Sequence, residues 1–386
     1  MTTTVPRASL GTVLAQWGRI GCIGFGGPPA HIALLRKLCV DDRRWLDDRE
    51  FEDAVAACNL LPGPSSTQLA IYCAWRVRGR AGALAGGAAF IVPGLVAILA
   101  LAALFLGDPP TWVRAAGAGA GAAVVAIALQ AGWSLMPPGW LRAPQQSSRL
   151  RWSTYLLLGA VAAATVGPWL VLVLIACGVA EILFQRPPLP TRRPTAALPA
   201  LALAGAGTGV LAALSWTALK VGALSYGGGF VIIPLMQADA VEHHRWMTAA
   251  EFLNAVALGQ ITPGPVVHTV AVVGYAAAGL AGGLLAAAVA FSPSFAFILL
   301  GADRFDQLRG NRRVRAFLDG AGPAAIGAIL GSAVPLTLAL TETWQYAVLA
   351  GAAVLTLVLR RGPVLTLVTA AAAGVALTVA GAPLPH

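Results

Sequence analysis

Runs of roughly 20 apolar residues recur along this chain, among them Ala81–Leu106, Ala115–Met136 and Gly279–Leu300. That is the length at which an α-helix crosses the hydrocarbon core of a bilayer. In lipid every backbone N–H and C=O must find its partner within the protein, so such a chain folds as an all-α, polytopic membrane bundle. The composition agrees, with 58% of the 386 residues apolar, 11% charged and a mean hydropathy of +0.75. A soluble domain of this length needs a far more charged surface. The net charge of +10 rests almost wholly on arginine, Lys37 and Lys220 being the two lysines. The positive-inside rule assigns these cations to cytoplasmic loops, so nucleic acid is not an expected partner. Met1 to Leu10 holds one arginine and no short apolar core ending in a cleavage site, so no removable signal peptide is expected.

An internal repeat organises the chain. Arg44-Trp45 matches Arg245-Trp246, Glu50-Phe51 matches Glu251-Phe252, and Gly26-Gly27 matches Gly227-Gly228. Pro62-Gly63-Pro64 (hereafter the first PGP) matches Pro263-Gly264-Pro265 (the second). One offset fits every pair: 246 − 45 = 201 and 263 − 62 = 201. No gap is expected from about Arg19 to about Phe90; beyond that the match loosens, and Gly167-Pro168 answers Gly362-Pro363. The repeats are residues 1–185 and 205–386, joined by a linker over 186–204 whose proline and arginine content reads as stiff and solvent-exposed.

Loop charge sets the relative orientation of the halves. The turn with Arg76, Arg78 and Arg80 is answered by the uncharged Ala277–Ala281, and the cation-free loop near Asp108 by Arg304, Arg309, Arg312, Arg313 and Arg315. The loop with Arg142, Arg149 and Arg151 is answered by a cation-free stretch near Thr341-Glu342, and bare Val166-Gly167 by Arg360-Arg361. The bias changes sign at all four places, as inverted-topology repeats predict. Inversion also requires an odd number of crossings before Gly227, and the apolar stretch Thr195–Ser225 has room for one more.

Each half carries two helix breaks. The first is Gly24-Phe25-Gly26-Gly27-Pro28, matched by Tyr226-Gly227-Gly228-Gly229; glycine weakens a helix and proline suits the first turn of the next. The second is the PGP motif, where two prolines remove two backbone donors. Discontinuous helices are expected to restart at Pro64 and Pro265, with free N–H groups on Ser65, Ser66 and Thr67 and on Val266, Val267 and His268. Such a terminus carries positive partial charge and attracts anions. Paired breaks in corresponding positions of two halves point to a transporter's binding site.

Polar residues near the breaks carry two readings each. Arg19 and Lys220 are equivalent (220 − 19 = 201), and a cation in an apolar helix either meets a ligand or snorkels to the interface. Glu50 and Glu251 stand three residues after Asp47 and Thr248, a capping-box spacing favoured over proton carriage. Arg44 and Arg245, beside tryptophans, read as interfacial anchors, with gating as the minor alternative. Asn59, Gln260 and Thr262 precede the PGP motifs; Ser65, Ser66, Thr67, Gln68, His268 and Thr269 follow them. They are candidate hydrogen-bond donors to an oxyanion, or satisfy carbonyls freed by the breaks. His268 is also a proton-coupling candidate. His31 is read as a helix residue with a local partner, and His243-His244 as part of a loop. The five cysteines (Cys22, Cys39, Cys58, Cys73, Cys177) lack a CxxC spacing and read as small buried residues, so neither a disulfide framework nor a metal or other cofactor is expected. No Walker A, HExxH or GxSxG motif occurs, which leaves ATP-driven transport and common hydrolytic chemistry without support and argues against an enzyme.

The motifs together resemble the chromate ion transporter (CHR) family in its long two-domain form. The residues that carry the resemblance are Arg19-Ile20-Gly21, Phe25-Gly26-Gly27-Pro28-Pro29-Ala30-His31, Arg44-Trp45, Glu50-Phe51, Leu61 to Pro64 with Gln68-Leu69-Ala70, and Gly79 with Gly82. In the second half they are Tyr226-Gly227-Gly228-Gly229-Phe230 and Gln260 to Val266. The resemblance implies export of chromate across the bacterial inner membrane, driven by the proton gradient. The residues themselves reach as far as a small anion and leave chromate and sulfate both open; an anion channel and a carrier or enzyme acting on lipid phosphates are the other readings. The expected partners are the oxyanion, the lipid bilayer and, as one option, a second copy of the chain. The expected site is one dianion held between two facing PGP breaks, each backed by a glycine break and one cation.

Overall fold

The computed structural model describes residues 8–59, 61, 63–107, 109–141, 146–165, 169–185, 209–225, 232–301 and 311–385. Expectations placed on Pro62, Gly167-Pro168, the linker and Gly227, Gly228 and Gly229 lie outside these residues. Among the described residues no strand occurs. In the first half α1 spans Leu10–Ile23, α2 spans Pro28–Arg36 and runs into a π-helical turn at Lys37–Asp42, and α3 spans Asp48–Cys58. Then come α4 (Ser65–Phe105), α5 (Thr111–Leu141), α6 (Gln146–Thr165) and α7 (Leu170–Gln185). The second half repeats the order: α8 (Val210–Leu224), α9 (Ile232–Gln237) with a π turn at Ala238–His243, and α10 (Ala249–Ile261). A 3-10 turn at Val266–His268 leads into α11 (Thr269–Gly301), followed by α12 (Arg312–Gly331) and the short α13 (Ala333–Leu338). The chain closes with α14 (Thr343–Ala353), a π turn at Val354–Val358 and α15 (Pro363–Val379).

Among the described residues four helical runs are long and apolar enough to cross a membrane, at Ser65–Phe105, Thr111–Pro137, Val266–Gly301 and Arg312–Leu338. Two of them are hairpins. Gly79 (φ 64°, ψ −153°) and Gly279 (φ 62°, ψ −156°) adopt a backbone region open to glycine, and the helix folds back on itself there. A β-carbon on Gly82 would strike the Ala74 carbonyl oxygen, and one on Gly87 would lie 2.8 Å from Ile71. In a straight helix residues 8 and 16 apart would stand about 12 and about 24 Å apart.

The hairpins correct the repeat register. The offset is 201 at the PGP motifs but 279 − 79 = 200 at the hairpin turns, and 293 − 93 = 200 at the prolines inside the second arms. One residue has therefore been lost after the second PGP, where no gap was expected. The 3-10 turn at Val266–His268 accounts for it. Three residues at about 2.0 Å rise span what four cover at about 1.5 Å.

The halves are interlocked rather than side by side. Within each half the first helix packs on the hairpin, α1 on α4 and α8 on α11, and the two hairpins pack on each other. The later helices cross over: α5 is held by α14 and α15 of the second half, while α12 is held by α6 and α7 of the first. Lipid offers helices no hydrophobic drive to associate, so close approach through small residues supplies dispersion contact instead. The crossings accordingly sit on glycine. A β-carbon on Gly119 would overlap the Ala370 carbonyl oxygen, one on Gly374 that of Ala115, and those on Gly159 and Gly327 the carbonyls of Ala324 and Leu156.

Among the described residues Arg44, Arg245 and Arg360 (φ 50°, 52° and 52°) are left-handed, and each follows a π turn. The next amide reaches back into each turn, as in Trp45 N–H to Cys39 O (2.7 Å) and Trp246 N–H to Ala240 O (2.8 Å). Trp45 is buried and stacks on Trp17 at 6.0 Å, so it is a core residue. Arg149 and Arg151 were expected in a loop but lie in the first turns of α6, because Arg151 is held by the buried carboxylate of Glu181 at 2.9 and 3.0 Å. All five cysteines are free; four are buried as expected, and Cys22 is exposed on α1.

Gly327→Val is expected to destabilise the protein by about 1–3 kcal/mol, the range for overpacking a closed contact. Gly351→Ala, inside α14 where nothing lies within 4 Å of a β-carbon, should not destabilise the protein and gains up to about 1 kcal/mol of helix propensity. Thermal unfolding of the detergent-purified protein separates the two.

Candidate functional site

Each PGP segment is seated in the opposite half. The Gly264 N–H donates to the Gly24 carbonyl at the C-terminus of α1 (2.9 Å), and the Pro263 carbonyl packs against Gly94 in the second arm of α4. Reciprocally, a β-carbon on Gly63 would lie 3.2 Å from the Gly222 carbonyl of α8 and 3.5 Å from Ser294 Oγ in the second arm of α11. Gly94 and Ser294 are equivalent in the corrected register, since 294 − 94 = 200. Gly63 (φ 114°) and Gly264 (φ 93°) both take the left-handed region that the sharp entry to the next helix requires.

His31 fastens the first-half segments together. It is fully buried, with Nε2 2.9 Å from the Gly24 carbonyl and Nδ1 3.1 Å from Ser66 Oγ. A carbonyl can only accept, so Nε2 carries the proton. In the neutral ring Nδ1 then accepts from the Ser66 hydroxyl. Ser66 has spent its single proton on His31 and is a positioning residue there, not a donor to a ligand. The expected local role of His31 is therefore too small: beyond Gly24 it ties α2 to the start of α4.

The remaining candidates divide by whether their donors are spent. Thr262 Oγ donates to Leu258 O and Thr269 Oγ to Val266 O, both at 2.8 Å, which is the carbonyl-satisfying reading. The expected free N–H groups of Thr67 and His268 are bonded to the Pro64 and Pro265 carbonyls at 3.0 and 2.9 Å, because both helices open with a tight i to i−3 turn. Thr67 Oγ, Gln260 Nε2 and both ring nitrogens of His268 are buried without a hydrogen bond of good geometry. His268 lies beside the backbone of Ile91 and edge-on to Phe291 at 5.2 Å. Ser225 and Ser294, which sequence reasoning missed, are in the same condition. Gln68 is buried and Ser65 partly so; Pro64 and Pro265 cap their helices; Gly26 and Gly27 take φ 98° and 74° at the start of α2; Asn59 is exposed at the end of α3. A buried polar group left unpaired costs about 1–3 kcal/mol, so each of these groups is a candidate partner for a ligand or a water.

The charged candidates are more committed than their sequence suggests. Glu251 closes a capping box with Thr248. Asp47 caps α3 by accepting from the Glu50 N–H (2.7 Å), while the Glu50 carboxylate pairs with Arg76 on the first arm of α4. Arg44 and Arg245 are exposed at their turns. Arg19 is exposed and makes no ion pair among the described residues. Lys220 is paired with Asp239 at 2.5 Å, so one of the two cations assigned to the anion is already neutralised. Asp239 and Glu181 were both missed, although an acid inside an apolar helix is itself a signal. Among the described residues no cluster of metal-ligating side chains occurs.

His31→Ala should strand the Gly24 carbonyl and the Ser66 hydroxyl and cost about 1–3 kcal/mol, whereas His31→Gln, which can donate to one and accept from the other, should recover most of the loss. Thermal unfolding of the two variants checks this.

Comparison with known proteins completes the description of the site. The family model described as "Chromate transporter" matches residues 11–182 and 212–375. The chromate transport protein of Cupriavidus metallidurans is 33% identical over 344 residues, covering 86% of this chain and 84% of that one. The chromate transport protein of Pseudomonas aeruginosa is 29% identical over 351 residues, covering 86% and 82%. No solved structure matches the chain.

Proposed function

Because this chain belongs to the chromate transporter family, we propose that it carries chromate, a tetrahedral dianion, outward across the bacterial inner membrane by alternating access. The observation that carries this reading is the reciprocal seating of the two PGP segments. Discontinuous helices whose starts are each seated in the opposite half supply aligned N–H groups and unspent side-chain donors to an oxyanion without charge of their own. Thr67, Gln260 and His268 are the donors with capacity to spare, and Arg19 supplies the uncommitted cation. The halves are inverted repeats; the sign changes in loop charge and the reciprocal packing of α5 and α12 support that arrangement.

Electrostatics sets the direction. Carrying one charge through 100 mV is worth about 2.3 kcal/mol, so a dianion leaving a negative interior gains about 4.6 kcal/mol. That is more than a thousandfold in concentration, since each decade is worth about 1.4 kcal/mol. The membrane potential alone drives export, and proton coupling through His268 adds to it. Glu50 and Glu251 are the weaker proton carriers, being held by Arg76 and Thr248.

Everted membrane vesicles provide the test. Uptake of chromate should exceed that of vesicles lacking the protein, fall when the potential is collapsed, and fall further when the pH gradient is removed. Sulfate in a parallel arm reports selectivity between oxyanions of like charge. Arg19→Gln should reduce flux at least tenfold without loss of protein from the membrane. Absence of flux for both anions sinks the reading; flux that follows the anion gradient through the protein with no saturation favours a channel.

A further inference from the structure

The two halves tie their elements together by different chemistry. In the first half His31 does so with hydrogen bonds; its counterpart, 232 − 31 = 201, is Ile232. In the second half Lys220 of α8 reaches Asp239 in the π turn beyond the glycine segment, at 2.5 Å. The counterpart of Asp239 is Leu38, and that of Lys220 is Arg19. The backbone is the same in both halves: a short α-helix, a π turn and a left-handed arginine. This local fold accepts leucine where Asp239 stands, so it does not require the carboxylate.

The pair is also costly. Lys220 and Asp239 keep 13% and 4% of their side-chain surface exposed, and Thr217, itself buried, donates to Asp239 Oδ2 at 2.8 Å. Desolvating two charges costs several kcal/mol per ion, which their attraction at best offsets, so a buried pair is weak evidence for a stability role. The Lys220 ammonium also lies 5.9 Å from the Trp216 ring centroid, a face that stabilises a cation whether or not Asp239 is engaged. Beside the π turn is a cavity of about 40 Å³ whose walls include Thr165, Pro234, Gln237 and Glu242. It is large enough to admit water. Gln237, 5% exposed, also lines it, and its Oε1 is buried without a hydrogen-bond partner.

We infer that Asp239 is an internal stand-in for the substrate: its carboxylate holds Lys220 while no oxyanion is bound and surrenders it when one arrives. The inference rests on the oxyanion reading above. The empty site is then neutral on the second-half side, and the arriving dianion exchanges one carboxylate contact on Lys220 for its own. Thr217, already bonded to Asp239 Oδ2, keeps the released carboxylate hydrogen-bonded. Re-pairing of Lys220 with Asp239 helps to expel the anion after transport. Lys220 is a binding residue in this scheme and Asp239 a positioning residue that acts through it.

Purified protein is tested by equilibrium dialysis against radiolabelled chromate and, separately, radiolabelled sulfate, alongside vesicle flux. Asp239→Asn keeps the shape and the acceptor for Thr217 but frees Lys220. The dissociation constant should fall about tenfold and turnover should fall with it, because release loses its competitor. Lys220→Gln with Asp239→Asn removes both charges together, so it stays folded; it should bind at least tenfold more weakly than Asp239→Asn. Tighter binding with slower turnover is an outcome that mere structural damage does not produce. An Asp239→Asn protein with wild-type dissociation constants, or a double variant that binds as tightly as Asp239→Asn, overturns the inference. If the wild-type protein binds neither anion, the functional reading fails first and this inference with it.

Discussion

A helix end buried inside a membrane protein leaves backbone groups that lipid cannot satisfy, and the arrangement of this protein follows from where those groups are met. The Gly24 carbonyl, at the end of α1, accepts both the His31 ring and the Gly264 N–H from the other half. One acceptor thus joins a glycine segment, its own following helix and the opposite PGP segment. Neither half could bury its PGP segment alone, because the surface that receives it belongs to the other.

That dependence explains the interlocked packing. α5 and α12 are each enclosed mainly by helices of the opposite half, and the contacts are made backbone to backbone across glycine and alanine. Such contacts tolerate sliding but not added volume, a property suited to a scaffold about which other segments shift. The hairpins contribute a second kind of rigidity. Each is turned by one glycine in a backbone region closed to other residues, which fixes where the arms reverse.

Against this common framework the halves differ in charge. The first half leaves Arg19 exposed and anchors its glycine segment through a neutral histidine; the second buries a lysine with its own carboxylate. Two equal cations flanking a dianion, as the repeat suggests, is therefore not the resting arrangement. The proposed oxyanion path has one cation ready and one held in reserve.

The sequence alone determined the helical membrane class, the recurrence of matching motifs along the chain, the end of α1 and the start of α2 at Pro28, because chain length against bilayer thickness, proline's missing donor and glycine's freedom are local properties. It also made the Thr248–Glu251 cap legible, since a capping box is closed within four residues. The tertiary structure decided which donors remain unspent. Ser66, Thr262 and Thr269 look alike as hydroxyls, yet the first gives its proton to a histidine 35 positions away and the others give theirs to carbonyls one helical turn back. The Lys220–Asp239 pair and the 201-to-200 change in register were equally out of reach. An ion pair depends on which helices meet, and a 3-10 turn replaces an α turn where packing fixes the length to be spanned. Both are set by neighbours distant in the chain, so no local pattern records them.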